Sequence, residues 1–261
     1  MQINKVEKPK DNILKIYLEG ISIEYLNELR RIIKTEVPTL TIEDVDIFMN
    51  SSGLYDEMVA HRLGLLALNT DLKTYQIKEE CSCGGVGCAS CQVQFSVKGK
   101  GPDMVYAEDI SFKDPSIKPI YPKTPIIKLL EGQEIQIEGT AELGRGKEHM
   151  KWSPGHVHYY NLVKINGVKK VNDEDKINAI EKHLSDNIDL KKSDVKNEIV
   201  ESFEGCEFAE DIKEIDAEVL DDRFCLTIES WGSLDPERLF VEASDIIGKK
   251  LDDFESWLKT K

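Results

Sequence analysis

Four cysteines stand within eleven residues, as Cys81-x-Cys83-x4-Cys88-x2-Cys91. Thiolates this close together can converge on one soft metal ion. Gly84, Gly85 and Gly87 lie between them and let the backbone turn tightly enough to do it. Four sulfurs at about 2.3 Å suit tetrahedral zinc, and a shell closed by four thiolates leaves no open position for catalysis. The expected role is therefore structural. An iron–sulfur cluster is the rival, since it also takes four thiolates, but the clustered ferredoxin spacing is absent. Cys206 and Cys225 stand alone beside apolar residues and read as buried, inert thiols.

Other candidate chemistry is sparse. Gly139-x4-Gly144 begins like a phosphate loop, but Arg145-Gly146 follows where Lys and Ser or Thr are needed. His156-Val-His158 could place two imidazoles on one face of a strand, with no clear third ligand nearby. His61 falls in an amphipathic segment and reads as a packing or partner-facing residue. Neither G-x-S-x-G nor H-E-x-x-H occurs, so a hydrolase or transferase with its own active site has no motif behind it.

The elements around the cysteines follow from periodicity. Ile13–Leu18 has the length and composition of a strand. Ser22 offers an N-cap, and Ile23, Leu26, Leu29, Ile32 and Ile33 recur at helical steps before Pro38 stops the run. Thr41–Met49 reads as a strand with an uneven pattern, and Asp56–Leu66 as a second helix. Between residues 75 and 142 short β-like runs dominate, at Gln92–Val97, Met104–Ala107 and Glu134–Glu138. Prolines 115, 119, 122 and 125 punctuate the loops between them. This turn-rich stretch between helix-bearing ones suggests an inserted module in an α+β chain. Asn172–Phe203 has a helical pattern, and Phe224–Ile228 reads as a strand. Asp235, Pro236 and Glu237 then open a helix with a long apolar stripe: Leu239, Ala243, Ile246, Ile247, Leu251, Phe254 and Leu258. So long a stripe completes a core or an interface.

Charge narrows the function. The chain has 261 residues, 34 basic and 49 acidic, for a net charge of −15. Residues 171–261 carry 26 of the acids against 12 bases, and Glu201–Asp222 holds ten acids and only Lys213. A surface this acidic repels phosphate backbones, so a zinc-stabilised nucleic-acid-binding module is disfavoured, as is direct nucleic-acid binding generally. The longest apolar run, Leu63–Leu68, is too short to span a bilayer. The opening MQINKVEKPKDN lacks the apolar segment of a signal peptide, so a cytoplasmic location is expected, where thiols stay reduced. A redox protein using the four thiols is a further alternative, and it would show visible absorbance.

Several segments are familiar together. Asn27-Glu-Leu-Arg-Arg-Ile-Ile33 with Glu36-Val-Pro38, Tyr55–Leu65, Lys128–Glu134 with Lys147-Glu-His-Met-Lys-Trp-Ser-Pro154, and Glu229-Ser-Trp-Gly-Ser-Leu234 occur in order. In order and spacing they resemble the alpha-type subunits of DNA-directed RNA polymerase, in the archaeal branch of that family. The resemblance runs from about residue 10 onward, apart from the middle of the C-terminal part.

It implies a dimerisation domain built from residues 1–43 and 155–261, with a β-rich domain inserted at 44–154 and a helical insert at about 170–215. It implies a non-catalytic assembly role, enzymatic only within the polymerase complex. It further implies a heterodimer with subunit L, contacts with small subunits N and P, and a platform for the large catalytic subunits. Leu26, Leu29, Ile33, Leu239, Ala243, Ile246 and Ile247 become candidates for the dimer seam. Arg30, Arg31, His61, Arg62, Lys147 and Trp152 become candidates for contact with the large subunits. Some relatives carry an iron–sulfur cluster in the region matching 170–215, but a single thiol, Cys206, cannot hold one.

Overall fold

A computed structural model describes residues 1–168, 198–201 and 215–260. Its architecture is α+β, and its contacts divide it into two compact units. One comprises Met1–Asn27 with Val157–Ile228, the other Glu28–His156 with Glu229–Lys261. The resemblance implies breaks elsewhere, near 43/44 and 154/155.

The first unit is organised on a five-stranded sheet. Strands β1 (Gln2–Lys10) and β2 (Ile13–Glu19) form an antiparallel hairpin, with Val6 opposite Ile16. Alternation buries Leu14, Ile16 and Leu18 of β2, as its pattern predicts. Strand β1 has no such pattern and is exposed almost throughout, so periodicity misses it; the backbone ladder to β2 makes it a strand. It occupies the edge of the sheet, where Pro9 is tolerated and the register slips between Glu7 and Lys10.

Helix α1 (Ile23–Thr35) begins as expected, with the Tyr25 N–H donating to Ser22 Oγ at 3.3 Å. Leu26, Leu29, Ile32 and Ile33 form its buried face.

The second unit holds the insert-like strands. Strand β3 (Thr39–Asn50) pairs with β8 (Glu134–Gly144), and β8 pairs with β4 (Gln92–Lys100). Bulges between Ile42 and Asp44 and between Ile47 and Met49 break the alternation of β3, which explains its uneven pattern. Helix α2 (Asp56–Gly64) buries Val59 and Leu63. A short ribbon of β5 (Asp103–Tyr106) and β7 (Pro125–Leu129) and the two-residue edge strand β6 (Ser111–Phe112) complete the strands. One core joins Leu40, Ile42, Val59, Leu63, Val93, Phe95, Val97, Ile127, Leu129, Ile135 and Ile137. Gly139 lies inside β8, not in a phosphate loop: a Cβ there would stand 2.1 Å from the Asp44 carbonyl oxygen and meet the Phe95 ring.

Strands β9 (Gly155–Val168), β10 (Glu198–Glu201) and β11 (Ile215–Ser230) finish the five-stranded sheet, in the order β1-β2-β11-β9-β10. Glu198–Glu201 corrects the helical reading of Asn172–Phe203 at its C-terminal end. This segment pairs antiparallel with Leu162–Ile165, so the ladder offered by β9 overrides its helical pattern. The rest of that helical pattern, Cys206 and most of the acidic stretch lie outside the described residues. Cys225 is fully buried, as expected of an inert thiol.

Helix α3 (Pro236–Lys259) starts with Pro236 at its first position, but the Asp235 side chain makes no capping hydrogen bond. Its apolar stripe divides in two. Pro236, Leu239 and Ala243 are buried, Ile246 and Ile247 are half-buried, and Leu251, Phe254, Trp257 and Leu258 are exposed.

Candidate metal centre

The four cysteines meet. Their sulfurs all lie within 4.8 Å of one another, with Cys81 and Cys91 buried and Cys83 and Cys88 half-buried. Cys81 and Cys88 Sγ are 3.6 Å apart, Cys83 and Cys91 3.7 Å, and Cys88 and Cys91 3.8 Å. These separations are far too long for a disulfide, whose sulfurs stand about 2.05 Å apart. They match a metal shell: four sulfurs about 2.3 Å from a central ion form a tetrahedron with edges of about 3.8 Å.

Local backbone geometry gathers the sulfurs. The Gly84 N–H donates to the Cys81 carbonyl at 3.0 Å, and the Cys91 and Gln92 N–H groups both donate to the Cys88 carbonyl at 3.0 Å. The Cys88 N–H donates to Cys91 Sγ at 3.2 Å. Gly87 is held at φ +98°, where the Gln92 amide would meet any Cβ.

The surroundings split the thiols. A hydrogen bond from the Gly87 backbone is the largest effect lowering Cys83, to about 6, so this sulfur is readily a thiolate. Burial pushes Cys91 up to about 12. An ion would supply the positive charge that keeps such a buried sulfur ionised.

Two ion pairs fix the entrance of the loop, and sequence reasoning missed both. Lys78, Glu79 and Glu80 form a single 3-10 turn just before Cys81. Lys78 Nζ reaches Glu142 Oε2 of β8 at 2.9 Å, and Glu80 Oε1 accepts from Arg145 at 2.5 Å. The residues concerned are 64 and 65 positions apart, so no local pattern could reveal them.

The expected contact residues scatter. Arg31, His61 and Arg62 are exposed, and Arg30 is half-buried. Arg62 also donates to the Pro125 carbonyl. Lys147 pairs with Glu36 at 3.7 Å. Trp152 is buried, its indole N–H directed at the Glu142 carbonyl at 3.4 Å, so it supports the surface from beneath rather than presenting itself. Leu26, Leu29, Ile33, Leu239 and Ala243 are at most 1% exposed, spent on the chain's own core. Only Ile246 and Ile247 of the expected seam are accessible. The stripe offers Leu251, Phe254 and Leu258 instead, together with Trp257, which lies outside the expected set; the Phe254 and Trp257 rings stack at 6.1 Å. His156 and His158 follow each other on β9, and among the described residues only the cysteines gather as a metal-ligand group.

A metal-ready loop thus sits in a β-rich module, and a long helix leaves part of its apolar stripe exposed. A profile of the RNA polymerase Rpb3/RpoA insert domain matches residues 45–168. Proteins called DNA-directed RNA polymerase subunit Rpo3 match at nearly full length. The one from Methanosphaera stadtmanae is 33% identical over 266 residues, covering 95% of this chain and 96% of the relative. That from Pyrococcus horikoshii is 33% identical over 97% and 96%, and that from Methanopyrus kandleri 35% over 93% and 90%. The chain belongs to this family of alpha-like RNA polymerase subunits.

Proposed function

We propose that the chain is a non-catalytic assembly subunit of a cytoplasmic DNA-directed RNA polymerase, pairing with subunit L and, with small subunits N and P, carrying the large catalytic subunits. The observation that carries this reading is the divided stripe of α3. A helix of 24 residues buries its apolar face over the first two turns and exposes Leu251, Phe254, Trp257 and Leu258 beyond them. A row of large apolar side chains left exposed along one helix face is the kind of surface that a partner covers. In this reading the seam lies on Ile246, Ile247 and these four residues.

Residues 1–43 and 155–261 form the dimerisation part in this reading, and 44–154 the insert. Arg30, Arg31, His61, Arg62 and Lys147 meet the large subunits, and Trp152 underlies them. The chain itself supplies no catalytic residue. The four-cysteine loop holds zinc as a structural ion: the all-thiolate donor set and edges of 3.6–3.8 Å support it.

Co-purification of the tagged chain from its own cells, with mass spectrometry and metal analysis, tests the reading. Recovery of subunit L and the large subunits with about one zinc per chain supports it. Recovery of the chain alone, or with unrelated partners, overturns it.

A further inference from the structure

Both ends of the four-cysteine loop are tied to residues beyond it. The 3-10 turn that leads into Cys81 contributes Lys78 to an ion pair with Glu142 near the end of β8 and Glu80 to one with Arg145 just after it. Glu142 is half-buried with its Oε2 shielded from solvent, and Lys78, 2.9 Å away, answers that oxygen as an ion-pair partner rather than in hydrogen-bond geometry. The loop's exit is tied to the same place: Gln92, directly after Cys91, opens β4 opposite Glu142. From Glu142 the path continues. Its carbonyl faces the Trp152 indole N–H, and the Trp152 ring lies so close to Gly144 that a Cβ there would stand 2.3 Å away. The Trp152 carbonyl in turn accepts from Thr39 Oγ1 at 2.7 Å. Between Gly144 and Trp152 runs Arg145–Lys151, with Arg145 on Glu80 and Lys147 on Glu36.

We infer that Lys78–Glu142 and Glu80–Arg145 couple the four-cysteine loop to residues 145–152, so that metal in the loop orders that surface segment. Without metal the loop has little core of its own and frays, and the turn frays with it. Glu142 then keeps a half-buried carboxylate without its cation, a strain that the chain relieves by loosening the end of β8. Trp152 loses its seat, and the 145–152 segment opens. Lys78 and Glu80 act as positioning residues, since neither is a ligand. By linkage, whatever metal does for the segment, the ordered segment does for metal affinity.

Hydrogen exchange read by mass spectrometry on the full-length chain tests this, zinc-loaded and after chelation. Chelation is expected to speed exchange in peptides from 81–91 and also in 145–152, the latter by about tenfold, while β1–β2 peptides stay within about twofold. In a variant that neutralises both pairs, Lys78→Gln with Glu142→Gln and Glu80→Gln with Arg145→Gln, no charge is stranded, and chelation still frees 81–91 but moves 145–152 by at most about threefold. The same variant binds zinc about tenfold more weakly, as reciprocity requires. An unchanged 145–152 segment after zinc loss overturns the coupling. So does uniform acceleration across the chain, or an unaltered zinc affinity in the variant with both pairs neutralised. The inference rests on the metal reading: failure to take up zinc at all sinks that reading, whereas zinc uptake without a response at 145–152 sinks only the coupling.

Discussion

Two substitutions on the same helix should fail in opposite ways. Leu239 is fully buried on α3, whereas Phe254, four turns on, is 58% exposed. Leu239→Ala leaves a cavity in the chain's own core and should cost about 2–5 kcal/mol of its stability. Phe254→Asp removes no buried group from the isolated chain and should change its stability by no more than about 0.5 kcal/mol. Against a partner the order reverses. Covering the remainder of a Phe side chain is worth about 1–2 kcal/mol, and stranding a carboxylate in an apolar seam adds more, so affinity should fall by about 30-fold or beyond. Urea unfolding of each variant measures the first quantity, and surface-immobilised subunit L the second. Subunit L binding undiminished in Phe254→Asp would refute the placement of the seam. So would a chain unfolded by that change, because Phe254 would then be a core residue. Leu239→Asp does not test the seam: it buries a charge inside the chain itself.

Other consequences are simpler. Chelation of the zinc-loaded chain should release about one ion, and Cys83→Ser should lower its affinity well below that of the native loop, both readable by a chromogenic chelator. Gly139→Ala should destabilise the second unit by about 1–3 kcal/mol in denaturant titration, since its Cβ has no room beside the Asp44 carbonyl. Tyr75 donates to Asp114 at 2.5 Å, and this bond, ahead of those from Ser116, holds the Asp114 carboxyl below its ordinary value. Its stabilising effect is therefore present above the unfolded pKa of about 3.9 and lost as pH falls through the folded value. Thermal melts should show native chain more stable than Tyr75→Phe at pH 7, with the gap narrowing toward pH 3.

What the sequence made legible follows the range of the interactions involved. The cysteine loop was readable because its ligands and turn glycines lie within eleven residues, and a metal asks only for donor type and spacing. Helix α1 was readable for the same reason, since its cap and apolar period are local signals. Strand β1 was not, because a ladder to β2 rather than its own pattern holds it. Glu198–Glu201 shows the stronger case, in which pairing with β9 overrides a helical pattern.

The stripe of α3 marks the deeper limit. Periodicity identifies which face of a helix is apolar, but every residue on that face looks alike until the rest of the chain has taken its share. Here the fold claims Leu239 and Ala243 and leaves Leu251, Phe254, Trp257 and Leu258 over. The residues nearest the cap, which look most like an anchor for a partner, are thus the least available to one. The ion pairs around the cysteines obey the same logic in reverse. Lys78 and Glu80 look like solvated charges in sequence, yet one of them pairs with a carboxylate oxygen shielded from solvent. In both places a residue's role is fixed by what remains unsatisfied elsewhere in the fold. Substitutions should therefore be chosen by burial and partner, not by residue type.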